Sequence, residues 1–361
     1  MSTSLTHPDP VLDSSFRDVD RRPPIDHRPP RPHPDADATV REPRASASAP
    51  VSLPHPEPDS ERHHPLALSF EVMPPRSAAQ AAGTPELLAL LDELHPDYLA
   101  VTSSAKSNWL HGTADFIRII SETTQLRPLA HLACTAGTAD ELRGWIRHLL
   151  SAGVRGFLAI RGDFPTGTDR VPAGHLPHAD ALVHLLRTIE AEHTAKLAAG
   201  RLGIGVAAYP SGHAQSSGPD EDLDVLAAKQ RLGADFAITQ LFFDPGHFAR
   251  LRRRADLAGI TMPIIPGILP ITDIRRLHTM SRLAELPVPD HLLARFDGAA
   301  SPQAQRRIGL EMTAEHVATI LDQGAAGLHF YTFNDRTTTI DLLGALDRLG
   351  VSLHPTPVPA L

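Results

Sequence analysis

Eight short apolar runs recur through this chain, each followed by an amphipathic segment, and that alternation limits the fold more than any other feature. The runs are ALSFEVM (67–73), DYLAVTS (97–103), RPLAHLACT (127–135), GFLAIRG (156–162), GIGVAAYP (203–210), FAITQLFF (236–243), PIIPGIL (263–269) and AGLHFYTF (326–333). Strands that alternate with helices predict a parallel sheet with helical crossovers. In TADELRGWIRHLLSAG, Thr138 and Glu141 read as a capping box and Gly153 as the stop of such a helix. Eight β/α units within about 290 residues match a TIM barrel, (β/α)8, in number and length. A doubly wound open sheet is the alternative. No repeat of solenoid period is present.

The barrel accounts for residues 66–352 of the 361. Residues 1–65, typified by RRPPIDHRPPRPHPDAD, have almost no apolar periodicity and are expected to be a disordered Pro/His-rich tail, because they bury too little surface to offset their ordering entropy. Their histidines lack regular spacing, so no metal site is expected there. Acidic residues among the arginines argue against a transit peptide. Residues 353–361 form a short C-terminal tail.

A net charge of −8 gives no basic footprint for nucleic acid. The single cysteine, Cys134, excludes a disulfide framework and favours a reducing compartment. No apolar run reaches the length of a membrane span and no signal sequence opens the chain. A cytoplasmic protein is expected.

In a barrel the chemistry collects at the C-terminal ends of the strands. Seven of the eight runs carry a polar residue there: Glu71, Thr102, His131, Arg161 with Asp163, Tyr209, Gln240, and Tyr331 with Asn334. A single polar strand end has an ordinary structural reading, but agreement in seven strands favours a site. The eighth run, ending PGILP, supplies shape. Gly203-x-Gly205-x-x-Ala208 formally matches a dinucleotide fingerprint, but its glycines open a strand instead of a helix, so it is rejected. His131 and Cys134 have no third partner nearby for zinc, and a buried thiol is the simpler reading.

The stretches SFEVMPPR, HLACTAGTADELRGWIRHLLSAGVRGFLAIRGDFP, VAAYPSGH, DLDVLAAKQRLGADFAITQLFFD, IIPGILPITD and HFYTFN resemble the methylenetetrahydrofolate reductase family, in order and from about Leu66 to Gly350. The resemblance implies a flavin-dependent barrel in which NADH or NADPH reduces FAD and the flavin passes hydride to 5,10-methylenetetrahydrofolate, giving 5-methyltetrahydrofolate for methionine metabolism. It implies that Glu71 is the general acid for opening the folate imidazolidine ring, and that Asp163 lies near flavin and pterin. It places Gln240, Asn334, Arg336 and Met280 against substrate. FAD contacts would come from Thr102, His131, Arg161, Gly162, Asp163, Ala207, Tyr209, His213, Asp222 and Lys229. The expected partner is methylenetetrahydrofolate, with no nucleic acid or membrane, and a homo-oligomer is left open.

Elementary chemistry agrees with these roles. An acid working near pH 7 must be kept protonated by desolvation or a nearby negative charge, and Phe70, Val72, the following prolines and Asp163 are expected to supply both. A fixed anion such as Asp163 stabilises the 5-iminium cation that ring opening creates. Lys229 and Arg161 suit the FAD phosphates, and the Gln240 amide both donates and accepts, as a pterin edge requires.

The chain departs from the family pattern at three places. SSAKSNWLHG replaces the usual Tyr-Gly-Ala after Thr102, Asn334-Asp335-Arg336 replaces Asn-Arg, and Met280 stands where some relatives have an aromatic. The competing readings are a folate- or flavin-binding paralogue without turnover, and a flavin-independent or different-substrate reductase on the same barrel.

Overall fold

Each strand of the barrel alternates a side chain facing the helices with one facing the barrel axis, as the two-residue period of a strand requires. In β1 (Ala67–Val72), Leu68, Phe70 and Val72 pack outward with Leu87, Leu91 and Ile117 of the surrounding helices, leaving Ser69 and Glu71 to point inward. A computed structural model describes residues 66–103, 109–162, 171–193, 197, 200–213, 216–351 and 353. The segment 1–65, Asp163 and residues 104–108 of the altered loop after Thr102 lie outside the described residues.

The described elements run β1, α1 (Ala78–Glu93), β2 (Tyr98–Val101), α2 (Trp109–Thr123), β3 (Pro128–Ala133), α3 (Ala139–Ser151), β4 (Gly156–Ile160), α4 (Ala179–Glu192), β5 (Gly203–Ala208), α5 (Pro219–Arg231), β6 (Phe236–Thr239) and α6 (Pro245–Leu257). They continue with β7 (Ile264–Ile265), β8 (Gly267–Ile268), α7 (Ile274–Ala284), α8 (Asp290–Ala294), α9 (Pro302–Asp322), β9 (Gly327–Tyr331) and α10 (Arg336–Arg348). All strand pairings are parallel, in the order β7-β6-β5-β4-β3-β2-β1-β9-β8. The open-sheet alternative fails because β7 and β8 are consecutive pieces of one barrel strand. The first pairs with β6 and the second with β9. Pro266 separates them, having no N–H for the ladder, while its carbonyl accepts from His329 N at 3.0 Å. The expected continuous strand over 263–269 is therefore two short ones, and the fold is a (β/α)8 barrel.

The strands also end earlier than the apolar runs. Those over 97–103 and 236–243 stop at Val101 and Thr239, where the chain turns into the loops that line the site. The helix expected after β3 forms with its capping box: Thr138 Oγ1 accepts from Glu141 N and the Glu141 carboxylate accepts from Thr138 N. Gly153 takes φ +93°, and Val154 N returns to Leu149 O, closing the C-terminus. Helix α5 carries Asp220, Glu221 and Asp222 in its first turn and Lys229 and Arg231 in its last, matching the helix dipole. The seven-residue separation puts Asp222 and Lys229 on one face. Inside the barrel, Ala100, Leu129, Leu158 and Ile238 form a small apolar layer below the site. Cys134 is buried and is not part of a disulfide among the described residues. No helix among the described residues is long and apolar enough to cross a membrane.

Candidate active site

Glu71 sits inside the barrel with only 5% of its surface exposed. Its backbone is held by the residue that follows β9: the Glu71 carbonyl accepts from Thr332 Oγ1 at 2.7 Å and from Thr332 N at 3.2 Å. Two residues on, Asn334 adopts φ +59° and clamps Met73, accepting from its N–H at 2.9 Å and donating to its carbonyl at 2.7 Å. These contacts lock the exit of β1 to the exit of β9 and so aim the carboxyl.

Two imidazoles face that carboxyl. Glu71 Oε2 lies 3.4 Å from His131 Nε2 and 3.7 Å from His329 Nε2, and both rings are almost wholly buried. None of these three atoms has a hydrogen-bond partner among the described residues. The contacts are not ion pairs. Burial pushes the Glu71 carboxyl well above the usual carboxylate range, and the same burial lowers His131 to about 3. His329 is lowered to about 3 by burial first and by His131 second. Desolvation disfavours whichever form is charged, so acid and bases are all kept neutral. Tyr331 is raised as well, through burial, then the neighbouring Glu71 and Tyr98.

The dryness around Glu71 differs in origin from the sequence expectation. Phe70 and Val72 face the helices, and the apolar walls on the axis side are Leu158, Ile160 and Ile238 with Tyr331. Two adjoining cavities organise the other expected residues. The first collects Glu71, His131, Gly162, Ala207, Tyr209 and Gln240. The second shares Ala207 and Tyr209 with it and adds His213, Asp222 and Lys229. Residues from five strand ends and one helix thus converge on a continuous site at the C-terminal face.

The polar geometry within it is specific. Gln240 Oε1 accepts from Leu241 N at 2.8 Å, which fixes the amide orientation. Asp222 accepts from His213 N at 3.1 Å, and Tyr209 meets the His213 ring edge-on at 4.6 Å. Burial raises the Asp222 carboxyl, an effect opposed by that backbone hydrogen bond. Lys229 is 3% exposed, with Nζ donating to the Ala207 carbonyl at 3.4 Å, and Arg161 is 7% exposed. Gly162 takes φ +79°, and a Cβ there would overlap Thr135 Oγ1 and lie 2.8 Å from Ala133 Cβ. Only glycine fits this rim. Thr102 is buried, its carbonyl accepting from Thr113 Oγ1 at 2.9 Å.

A flavin dinucleotide fits this donor set. Arg161 and Lys229 are two buried cations at this face that could hold a diphosphate. Thr102 Oγ1 and Ser103 Oγ are buried without a hydrogen-bond partner among the described residues, at the same face.

Three of the expected substrate residues stand apart. Met280 is buried on α7 in an apolar cluster with Leu277, Phe296 and Met312, where it packs as helix core. The Asn334 amide is engaged by Met73, and Arg336 is exposed at the start of α10. Ser69 and His329 belong to the site although the strand-end pattern did not select them. The available signal was spacing, because His329 precedes Tyr331 by two residues and Ser69 precedes Glu71 by two, which puts each on the inward face. Room for the Tyr331 ring comes from Gly267, where a Cβ would lie 2.7 Å from the Tyr331 hydroxyl.

Residues 59–347 match the family model described as Methylenetetrahydrofolate reductase. The 5,10-methylenetetrahydrofolate reductase of Escherichia coli (strain K12) is 32% identical over 270 residues, spanning 74% of this chain and 86% of its own. A Caenorhabditis elegans protein described as Probable methylenetetrahydrofolate reductase (NADPH) is 32% identical over 220 residues, 60% of this chain and 32% of its own. Among solved structures, an uncharacterized Clostridium thermocellum protein that binds two copies of 5-methyl-5,6,7,8-tetrahydrofolic acid superposes with a TM-score of 0.52 at 13% identity. That superposition covers 80% of this chain and 96% of the other, a likeness of fold.

Proposed function

The chain belongs to the methylenetetrahydrofolate reductase family, and from that premise we propose that it reduces 5,10-methylenetetrahydrofolate to 5-methyltetrahydrofolate with NADH or NADPH, through bound FAD. The observation that carries the reading is Glu71, a carboxyl kept neutral by burial at the catalytic face of a barrel. A protein that only bound folate or flavin would have no use for such a group, whereas a ring-opening reductase needs one.

In this reading the Glu71 proton is delivered toward the departing folate nitrogen, opening the imidazolidine and leaving a 5-iminium cation that accepts hydride. The dry walls of the cavity keep the proton on the acid until substrate arrives. Gln240, its amide orientation fixed by Leu241 N, donates and accepts along the pterin edge. We assign Asp163 to stabilise the cation as a fixed negative charge. Arg161 and Lys229 would hold the FAD diphosphate, with Thr102, His131, Gly162, Ala207, Tyr209, His213 and Asp222 shaping the remainder of its site. When bound, FAD supplies a two-electron carrier between nicotinamide and folate.

An absorption spectrum tests the reading. The purified protein should be yellow and should bleach on anaerobic addition of NADH or NADPH. A colourless protein that cannot be reconstituted with FAD, yet still reduces methylenetetrahydrofolate, would make it a flavin-independent reductase.

A further inference from the structure

We propose that His329 and Ser69 form a positioning pair that fixes the acidic proton on Glu71 Oε2. The proposal rests on the reading of Glu71 as the acid, and its geometry stands on the barrel interior. Ser69 Oγ lies 2.9 Å from His329 Nδ1 and 3.3 Å from the carbonyl oxygen of Leu328. A carbonyl only accepts, so the Ser69 hydroxyl donates to Leu328 and its oxygen is left to accept from Nδ1–H. That bond selects one tautomer of His329 and leaves Nε2 with a lone pair. The lone pair faces Glu71 Oε2 at 3.7 Å, and His131 Nε2 faces the same oxygen from another strand at 3.4 Å.

A carboxylate oxygen set against an imidazole lone pair is repulsive, and a carboxyl O–H there is attractive. The pair therefore favours the protonated acid through the arrangement of donors as well as through dryness. Such an arrangement needs neutral neighbours, and it has them. The groups around His329 are Ser69 and Glu71 on β1, Tyr98 on β2 with ring centroids 6.3 Å apart, His131 on β3, Gly267 on β8 and Tyr331 on β9 at 5.0 Å. Tyr98 and Tyr331 are both held above their ordinary range, mainly by burial, and His131 is uncharged near neutral pH. Ser69 and His329 are in register across the β1–β9 ladder. The pair is thus set by the pairing that closes the barrel.

Ser69→Ala removes the acceptor for Nδ1–H and lets the ring carry its proton on Nε2, where it donates to the carboxylate and stabilises the anion. The C=O stretch of the protonated Glu71 carboxyl, taken as the infrared difference between the full-length protein and its Glu71→Gln variant across pH, reads this directly without folate. The midpoint should fall by about one pH unit or more in Ser69→Ala and return with Ser69→Thr. The alkaline limb of the folate-reduction rate should move with it. An unchanged infrared midpoint in Ser69→Ala overturns the proposal. Should that variant fail to fold, ¹⁵N shifts of the histidines in the unsubstituted protein decide: Nδ1–H on His329 supports the pair, and Nε2–H overturns it. The expected fall in the infrared midpoint, in a protein without folate turnover, would instead remove the catalytic reading and leave the pair standing.

Discussion

Glu71→Gln is expected to slow reduction of methylenetetrahydrofolate by about 10² or more while leaving reduction of bound flavin by NADH or NADPH nearly unchanged. Glutamine keeps the size of the side chain and its place between the two imidazoles, but it has no acidic proton to give. The nicotinamide half of the reaction opens no folate ring and requires no such proton. Stopped-flow measurement of each half-reaction separates the two. An equal loss in both halves would make Glu71 a structural residue, and no loss in either would place the proton source elsewhere.

The second large effect is on stability in acid. His131 and His329 are buried neutral, with values lowered to about 3 from an ordinary 6.5. Below pH 6.5 the unfolded chain takes up protons at these positions that the folded chain refuses, so stability falls with pH across the window from 6.5 down to about 3. The contribution is fully present above pH 6.5 and lost as pH drops toward the folded values. Glu71 acts with the opposite sign: its raised carboxyl keeps its proton when folded, so its contribution is present below 4.5, is lost as pH rises toward the folded value, and offsets part of the histidine effect over the same window. At pH 4.5 the two histidines together should cost on the order of a few kcal/mol. Denaturant midpoints should decline between pH 7 and 4 in the parent protein and decline less in His131→Gln. Equal slopes in both would mean that His131 titrates normally in the fold.

Much of this was legible in the sequence because the barrel repeats one simple rule. Apolar runs of strand length separated by capped helices predict the eight units, and the inward position of Glu71 follows from its two-residue offset from Ser69. Asp222 and Lys229 are named through the resemblance alone, and their seven-residue separation on α5 accounts for their shared face. His329 was harder, because its partner Ser69 is 260 residues away and the contact exists only once β1 and β9 are in register. Pro266 is visible within its run, but that the two halves pair with different neighbours is a matter of barrel closure that no local pattern encodes. Met280 lies on a helix of amphipathic pattern, and whether it faces substrate or core is set by how α7 docks against Phe296 and Met312. The resemblance places Asn334 against substrate, and the bond of its amide to Met73 depends on a φ of +59° that no local pattern specifies.

The central claim, a hydride-transferring reductase with Glu71 as its acid, is tested most directly by a single turnover. The flavin-loaded full-length protein is reduced anaerobically with one equivalent of NADH or NADPH and then mixed with methylenetetrahydrofolate. Flavin absorbance should return in step with formation of one 5-methyltetrahydrofolate per flavin, at a rate that falls as pH rises through the elevated Glu71 value. Flavin that stays reduced in the presence of folate, or that reoxidises without forming the methyl product, would contradict the account.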